Sequence, residues 1–272
     1  MKTVLITGAT DGIGKVTAQK FIGAGFRTII HGRNPQKIDH TINEFKEIYP
    51  TAAISGYKAD FSDLAQVKAL AEKLNQELSQ VDVLVNNAGL GPGKKGKQNR
   101  QTSRQGYEII FAVNYLAPFH LTNSSIPLLK RSKQGRIINV SSAAQSAIDF
   151  DDLMLENNYS GSTAYSQSKL ALVAYTFSLA AILKNDNITV NALHPGSLLD
   201  TNMVREAFSQ SWGKPDEGAE AIFYLATNES LADKSGWYFD QTKQAKANMQ
   251  AYDAEFRQKL WDVSEKLLQN KS

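Results

Sequence analysis

Tyr165 and Lys169 are the pair in this chain best suited to moving a proton. They lie in A-Y-S-Q-S-K-L-A-L-V-A-Y, and of the ten tyrosines only Tyr165 has a lysine four residues on. An apolar-periodic run follows, with Leu172, Tyr175, Leu179 and Leu183 on one helical face. On a helix, residues four apart stand one above the other, so the spacing predicts an ammonium beside a phenol. A phenol with an ordinary pKa of about 10 is a poor proton shuttle at neutral pH. A lysine charge about 4 Å away, at an effective dielectric of ~20, favours the ionised phenol by roughly 4 kcal/mol. That brings a tyrosine into the working range of a general acid or base.

A second constellation opens the chain. In K-T-V-L-I-T-G-A-T-D-G-I-G-K, a short apolar strand (Val4 to Ile6) runs into Gly8, Gly12 and Gly14 and then into a helix ending near Gly23 or Gly25. A second strand, Arg27 to His31, completes a βαβ unit. Glycines let the backbone turn and approach a ligand closely, and a helix N-terminus favours an anion such as a pyrophosphate. The spacing is G-x-x-x-G-x-G. It is not a Walker A loop, because Ala9 stands at the first glycine and Val16 where Ser or Thr is required. After the second strand comes H-G-R-N-P, with no acid to pair with ribose hydroxyls. Arg33 suits a 2′-phosphate instead, which favours NADP over NAD.

The elements that must position these residues alternate along the rest of the chain. Strands are expected at Ala53 to Tyr57, Val83 to Val85, Arg136 to Val140, Ile188 to Leu193 and Trp237 to Phe239. Between them lie a helix carrying Val67, Leu70, Ala71, Leu74 and Leu78, a helix from Gln105 to Lys130 that Pro118 and Pro127 should bend or break, and the Tyr165 helix. A final amphipathic helix, about 249–269, carries Phe256, Leu260, Val263 and Leu267. Strands alternating with helices predict an α/β fold: a doubly wound parallel sheet of about seven strands, with helices on both faces. No linker or repeat divides the chain, so residues 1–272 are read as one domain.

Composition narrows the classes. The chain has 272 residues, 42% of them apolar, and a net charge of +3, which gives no case for nucleic acid. There is no cysteine, so thiolate chemistry is excluded. The longest apolar stretch, Leu170 to Leu183, is 14 residues, short of the about 20 that a membrane span needs. Met1 and Lys2 lead straight into a strand without the apolar region of a signal peptide, so a cytoplasmic location is expected. His31, His40, His120 and His194 make no ligand spacing, and no metal site is expected. Ser142 lacks a G-x-S-x-G surround. The acidic run Asp149, Asp151, Asp152 and Glu156 reads as a solvated flank.

Parallel sheets bind ligands beyond the carboxyl ends of their strands. The glycines, Arg33, Asp60, the N-N-A-G turn, Ser142 and Pro195-Gly196 all fall at such ends, which points to a single cofactor site. T-G-A-T-D-G-I-G at 7–14, Asp60, N-N-A-G at 86–89, Asn114, Ser142, Y-S-Q-S-K at 165–169 and H-P-G at 194–196 together resemble the classical short-chain dehydrogenase/reductase family, whose fold is Rossmann-type. T-S-R-Q-G-Y-E before Asn114, the long gap between Ser142 and Tyr165, and the tail motifs S-G-W-Y-F-D and L-W-D-V-S-E-K-L are most similar to its retinol dehydrogenase-like group.

The resemblance implies that Tyr165 donates a proton to a substrate carbonyl in reduction and accepts one in oxidation. Lys169 would lower the tyrosine pKa and bind the nicotinamide ribose. Ser142 would hydrogen-bond the carbonyl oxygen, and Asn114 would hold a relay water through its main chain at a helix irregularity. Gly8, Thr10, Asp11, Gly12, Ile13 and Gly14 would cradle the cofactor, with Arg33 and Asn34 at its ribose. Asp60 and Phe61 would meet the adenine. Asn86, Ala88 and Gly89 would lie along the cofactor, and Pro195, Gly196 and Leu198 would cover the nicotinamide. P-G-S-L-L-D-T carries one residue more than the commonest spacing to the carboxamide-binding threonine, here Thr201. A long basic loop (Lys94, Lys95, Lys97 and Arg100) lies near the expected substrate mouth and reads as a solvated loop.

The expectation is thus an NADP(H)-preferring oxidoreductase, with NAD(H) left open, acting on a small-molecule carbonyl or alcohol. Met203, Phe208 and Trp212 in a lobe at Ser197 to Pro215 favour a lipophilic substrate. The alternative is a dinucleotide-binding sensor or scaffold without catalysis. A nucleotide-sugar epimerase or dehydratase would need a larger C-terminal region. A homo-oligomer is left open.

Overall fold

In β1 (Thr3–Ile6), Leu5 packs on one face of a sheet while Val4 and Ile6 pack on the other, and all three are fully buried. That is the consequence of a period-two chain covered on both sides. The computed structural model describes residues 1–94, 99–208 and 210–269. The remaining strands are β2 (Arg27–Gly32), β3 (Ile54–Lys58), β4 (Val83–Asn86), β5 (Gly135–Val140), β6 (Ile188–His194), β7 (Tyr238–Asp240) and β8 (Lys243–Ala245). They form one sheet in the order β3-β2-β1-β4-β5-β6-β7-β8. Every pair is parallel except β7 with β8.

Helices α1 (Gly12–Gly23), α2 (Pro35–Ile48) and α8 (Pro215–Thr227) bury Phe21, Phe45 and Ile222 against one face. On the other face, α3 (Leu64–Glu77), α5 (Ala117–Lys130), α6 (Gly161–Ile182) and α9 (Ala254–Gln269) bury Leu74, Phe119, Tyr175 and Leu260. Each such side chain stabilises the fold by about 1.5–3 kcal/mol. The chain crosses from one side of β1 to the other between β3 and β4. This puts the topological switch, and the crevice it opens, at the carboxyl ends of β1 and β4.

The sheet has eight strands, one more than expected. K-Q-A at β8 is only three residues long, too short for alternation to mark it. The helix expected from Gln105 begins later, as α4 (Ile109–Phe111), because Thr102 to Glu108 form a turn with Gly106 at φ +83°. It then widens into a π-helical turn over Ala112–Leu116 before α5. Pro118 causes no break because it sits in the first turn of α5, where its missing N–H matters little. Pro127 stays inside α5, which continues to Lys130. The C-terminal helix is preceded by a separate 3₁₀ turn, Met249–Tyr252, and α9 starts at Ala254. Helix α8, and a short α7 (Asn202–Ala207) within the 197–215 segment, were not foreseen.

Candidate active site

The glycine turn is built to a tolerance that no other residue meets. Gly8 has φ +64°, and a Cβ on it would sit 2.8 Å from the Cα of Ala88. A Cβ on Gly14 would sit 2.2 Å from the carbonyl oxygen of Gly8. Asn87 fills the remaining space, donating to the carbonyls of Thr7 (2.9 Å) and Gly8 (3.1 Å). Asp11 caps α1 by accepting from the Gly12 N–H at 2.7 Å. The first turn of α1 therefore faces the crevice with its N–H groups and positive dipole end. The turn has the form of an anion cradle, and the residues present fit the dinucleotide that the sequence implies.

The cradle forms one end of a cleft of about 940 Å³. Gly8, Thr10, Asp11, Gly12, Ile13 and Gly14 line that end. Arg33, Asn34, Asp60 and Phe61 line a second region, and Ala88, Gly89, Ser142, Tyr165 and Lys169 a third. Pro195, Gly196, Leu198 and Thr201 line a wall that also carries Met203, Phe208 and Trp212. These turns lie far apart in sequence, and the parallel sheet brings them to one edge.

Tyr165 and Lys169 stand one turn apart on α6, whose N-cap Ser160 accepts from the Thr163 N–H at 3.0 Å. The Ser141 hydroxyl donates to the Lys169 carbonyl at 2.9 Å, tying α6 to the end of β5. Lys169 is buried, and its Nζ donates to the Val140 carbonyl at 2.9 Å. That Nζ lies 5.6 Å from the centre of the Tyr165 ring. A Cβ on Gly89 would lie 3.7 Å from the same Nζ, so the N-N-A-G turn closes against it. Burial lowers the Lys169 ammonium to about 8.

Burial also raises the Tyr165 phenol above its ordinary value, while the Ser142 hydroxyl acts in the opposite direction. The sequence-based expectation was a depressed phenol. Loss of solvent is the largest cause of the upward direction, while the Lys169 ammonium lies 5.6 Å from the ring centre and donates to the Val140 carbonyl.

Two other expected site residues, Asn86 and Asn114, are not part of the cleft lining. Asn86 is buried in β4 and does not line the cleft; its amide donates to Thr122 Oγ1 (2.8 Å) and Asn139 Oδ1 (2.7 Å). The last residue of a strand points to one face, and here that face is the core, so Asn87 is the one that meets the glycine turn. Asn114 sits within the π turn, and its amide is fully engaged. Its Oδ1 accepts from the Leu90 N–H (2.7 Å), and its Nδ2 donates to the Leu90 carbonyl (3.0 Å) and Ser168 Oγ (3.0 Å).

Asn34 spends its side chain capping α2, accepting from the Lys37 N–H at 3.0 Å. Asp60 accepts from the backbone and hydroxyl of Ser62 at 2.9 and 2.8 Å. Thr201 caps α7 and lies against Gly12. Asn202 donates to Asp11, so α7 is tied across the cleft to the cap of α1. Leu198 has φ +50°, a left-handed conformation that costs a non-glycine residue energy and clusters at working loops.

The sequence reading missed several lining residues. Lys37 lies in the first turn of α2, four residues beyond Arg33, and also lines the cleft. His31 lines the cleft too. It stacks on Phe61 at 4.3 Å, and its Nε2 pairs with the Ala59 carbonyl at 3.0 Å. Burial lowers it to about 4, so it is neutral at pH 7. Of the basic loop, Lys95 and Lys97 lie outside the described residues. Arg100 turns back to the 149–156 segment, donating to the Met154 carbonyl at 2.9 Å and facing Glu156 at 3.8 Å. Among the described residues, no cluster of three or more His, Asp or Glu could hold a metal ion, and no helix is long and apolar enough to cross a membrane.

The chain is similar to known proteins in sequence and in fold. The pattern of the short chain dehydrogenase family matches residues 2–212. Retinol dehydrogenase 14 of Homo sapiens is 36% identical over 97% of this chain and 85% of its own length. Retinol dehydrogenase 13 of Homo sapiens is 36% identical over 98% and 84%. A short-chain-dehydrogenase structure from Escherichia coli CFT073, solved with NADPH, has a TM-score of 0.72 and 25% identity, covering 88% of this chain and 96% of that one. An actinorhodin polyketide ketoreductase variant, also solved with NADPH, has a TM-score of 0.70 and 26% identity over 88% and 95%. The chain belongs to the short-chain dehydrogenase/reductase family, in its retinol dehydrogenase-like group, and is an oxidoreductase of that family.

Proposed function

We propose that this protein interconverts a carbonyl and an alcohol on a lipophilic small molecule, with NADP(H) as the preferred cofactor and Tyr165 as the general acid and base. The observation that carries the reading is the convergence of Tyr165, Ser142 and Lys169 on one cleft with the glycine cradle. When bound, a nicotinamide dinucleotide supplies or accepts the hydride at the carbonyl carbon. In reduction, Tyr165 Oη gives its proton to the substrate oxygen and Ser142 Oγ donates a hydrogen bond to that same oxygen. In oxidation both act in reverse. Lys169 places positive charge at the tyrosine ring, and the main chain of the π turn around Asn114 holds the water that returns the proton.

The preference for NADP(H) rests on Arg33 and Lys37, two cations that line the cleft at the end of β2 with no acid between them. The apolar wall of Leu90, Ile109, Val113, Met203, Phe208 and Trp212 suits a long apolar alcohol or aldehyde. The names of the retinol dehydrogenase relatives agree with that class. The test is Tyr165→Phe, assayed by NADPH oxidation with a panel of aldehydes and ketones. Turnover should fall by at least about 10³-fold with NADPH affinity unchanged, the loss expected when an essential proton donor is removed. Retained turnover would overturn the role of Tyr165. A silent wild type that binds NADPH tightly would favour a dinucleotide sensor.

A further inference from the structure

Ser142 is the second residue beyond β5, and its neighbours Ala143 and Ala144 are exposed in the cleft. Such a residue needs something to fix the direction of its hydroxyl. The Ser142 carbonyl oxygen accepts two hydrogen bonds, from the Tyr238 hydroxyl at 3.0 Å and from Gln145 Nε2 at 2.8 Å. Both of its lone pairs are therefore used, which fixes the plane of the peptide that follows. The Ser142 hydroxyl oxygen in turn accepts from the Ala144 N–H at 3.1 Å. Its own proton is then left to point elsewhere, and Tyr165 lines the same cleft.

Both clamps are themselves held. Tyr238 is buried in β7, on the sheet face that packs against α6, with its neighbours Ala192 and Ala245 in register on either side. Gln145 cannot flip its amide, because its Oε1 accepts from the Asn248 N–H at 2.9 Å and a backbone N–H can only donate. Asn248 caps the Met249–Tyr252 turn. The S-G-W-Y-F-D tail thus reaches a site formed by the middle of the chain.

We propose that Tyr238 and Gln145 are positioning residues, which act by clamping the Ser142 carbonyl so that its hydroxyl meets the substrate oxygen and Tyr165. This rests on the reading that Ser142 and Tyr165 handle that oxygen. Neither residue touches substrate, and neither moves a proton.

Tyr238→Phe keeps the ring and removes the hydroxyl; Gln145→Met keeps the length and removes both amide donors. Each should lower kcat about tenfold by misdirecting one catalytic hydrogen bond, with NADPH dissociation constant and melting temperature unchanged. In a Ser142→Ala background, neither change should lower kcat further. An unchanged kcat in both single variants would overturn the proposal, as would a loss that tracks lowered melting temperature or an equal loss in the Ser142→Ala background. If Tyr165→Phe is inactive while both clamp variants keep full kcat, this inference alone fails. If Tyr165→Phe stays active, the underlying reading fails first.

Discussion

Lys169 Nζ lies 5.6 Å from the centre of the Tyr165 ring and donates to the Val140 carbonyl at 2.9 Å. The lysine therefore anchors α6 to the end of β5 while placing its charge over the face of the phenol. At that distance the ring quadrupole attracts the ammonium, a contribution of order 1 kcal/mol. Burial still works against the charge, and the fold carries that cost at neutral pH.

The cost has a pH signature. Lys169 titrates near 8 in the folded protein and near 10.5 when unfolded. Below pH 8 both states are protonated, and the penalty is full. Between 8 and 10.5 the unfolded chain binds more protons, so this group makes stability rise with pH by up to roughly 1 kcal/mol per unit. Above about 10 three tyrosines reverse the trend, because Tyr57, Tyr159 and Tyr238 are raised to about 12. Lys169→Met should therefore be more stable than wild type at pH 7, with the gap closing from pH 8 to 10. Urea unfolding of both proteins across that range measures it, and a constant gap would refute the account.

Gly14→Ala should damage the cradle. The new methyl would meet the Gly8 carbonyl at 2.2 Å and Asn87 Nδ2 at 2.4 Å, and neither can withdraw. Relief of the clash should cost about 1–3 kcal/mol of stability. NADPH affinity should drop at least tenfold, as the N–H groups of α1 shift away from the anion. Gly25→Ala is the control: its φ is +77° with no atom within 4 Å, so it should cost about 1–2 kcal/mol and leave affinity alone. Titration of NADPH fluorescence separates the two.

Arg33→Glu should reverse the charge at the end of β2. NADPH affinity should fall at least tenfold, with NADH affinity changed much less, since only the former carries the extra phosphate. In wild type, raising salt should weaken NADPH more than NADH, because exposed charges are screened. Equal losses for both cofactors would show that Arg33 does not read the phosphate.

The sheet and most of the cleft were legible because they rest on signals that sequence carries directly. The continuous apolar run of β1, the glycines of the first turn and the Tyr165–Lys169 spacing each follow from local geometry. β8 escaped because three residues, Lys243, Gln244 and Ala245, are too few to show a period, and the pairing that makes them a strand comes from Tyr238 to Asp240. Asn86 was misplaced because sequence names the turn but not which of two adjacent asparagines faces the core. The phenol's direction of shift was misjudged because residue spacing gives proximity, whereas burial depends on everything packed around it.

The π-helical turn at Ala112–Leu116 amounts to one residue of slack in an otherwise continuous rod. A chain shorter by that residue would wind more regularly, yet everything on one side of the splice would swing by about 100°. Asn114 would then point away from both Leu90 and Ser168, the two segments it now stitches together. Chain length at this spot encodes a heading, and a more perfect coil would make a poorer catalyst.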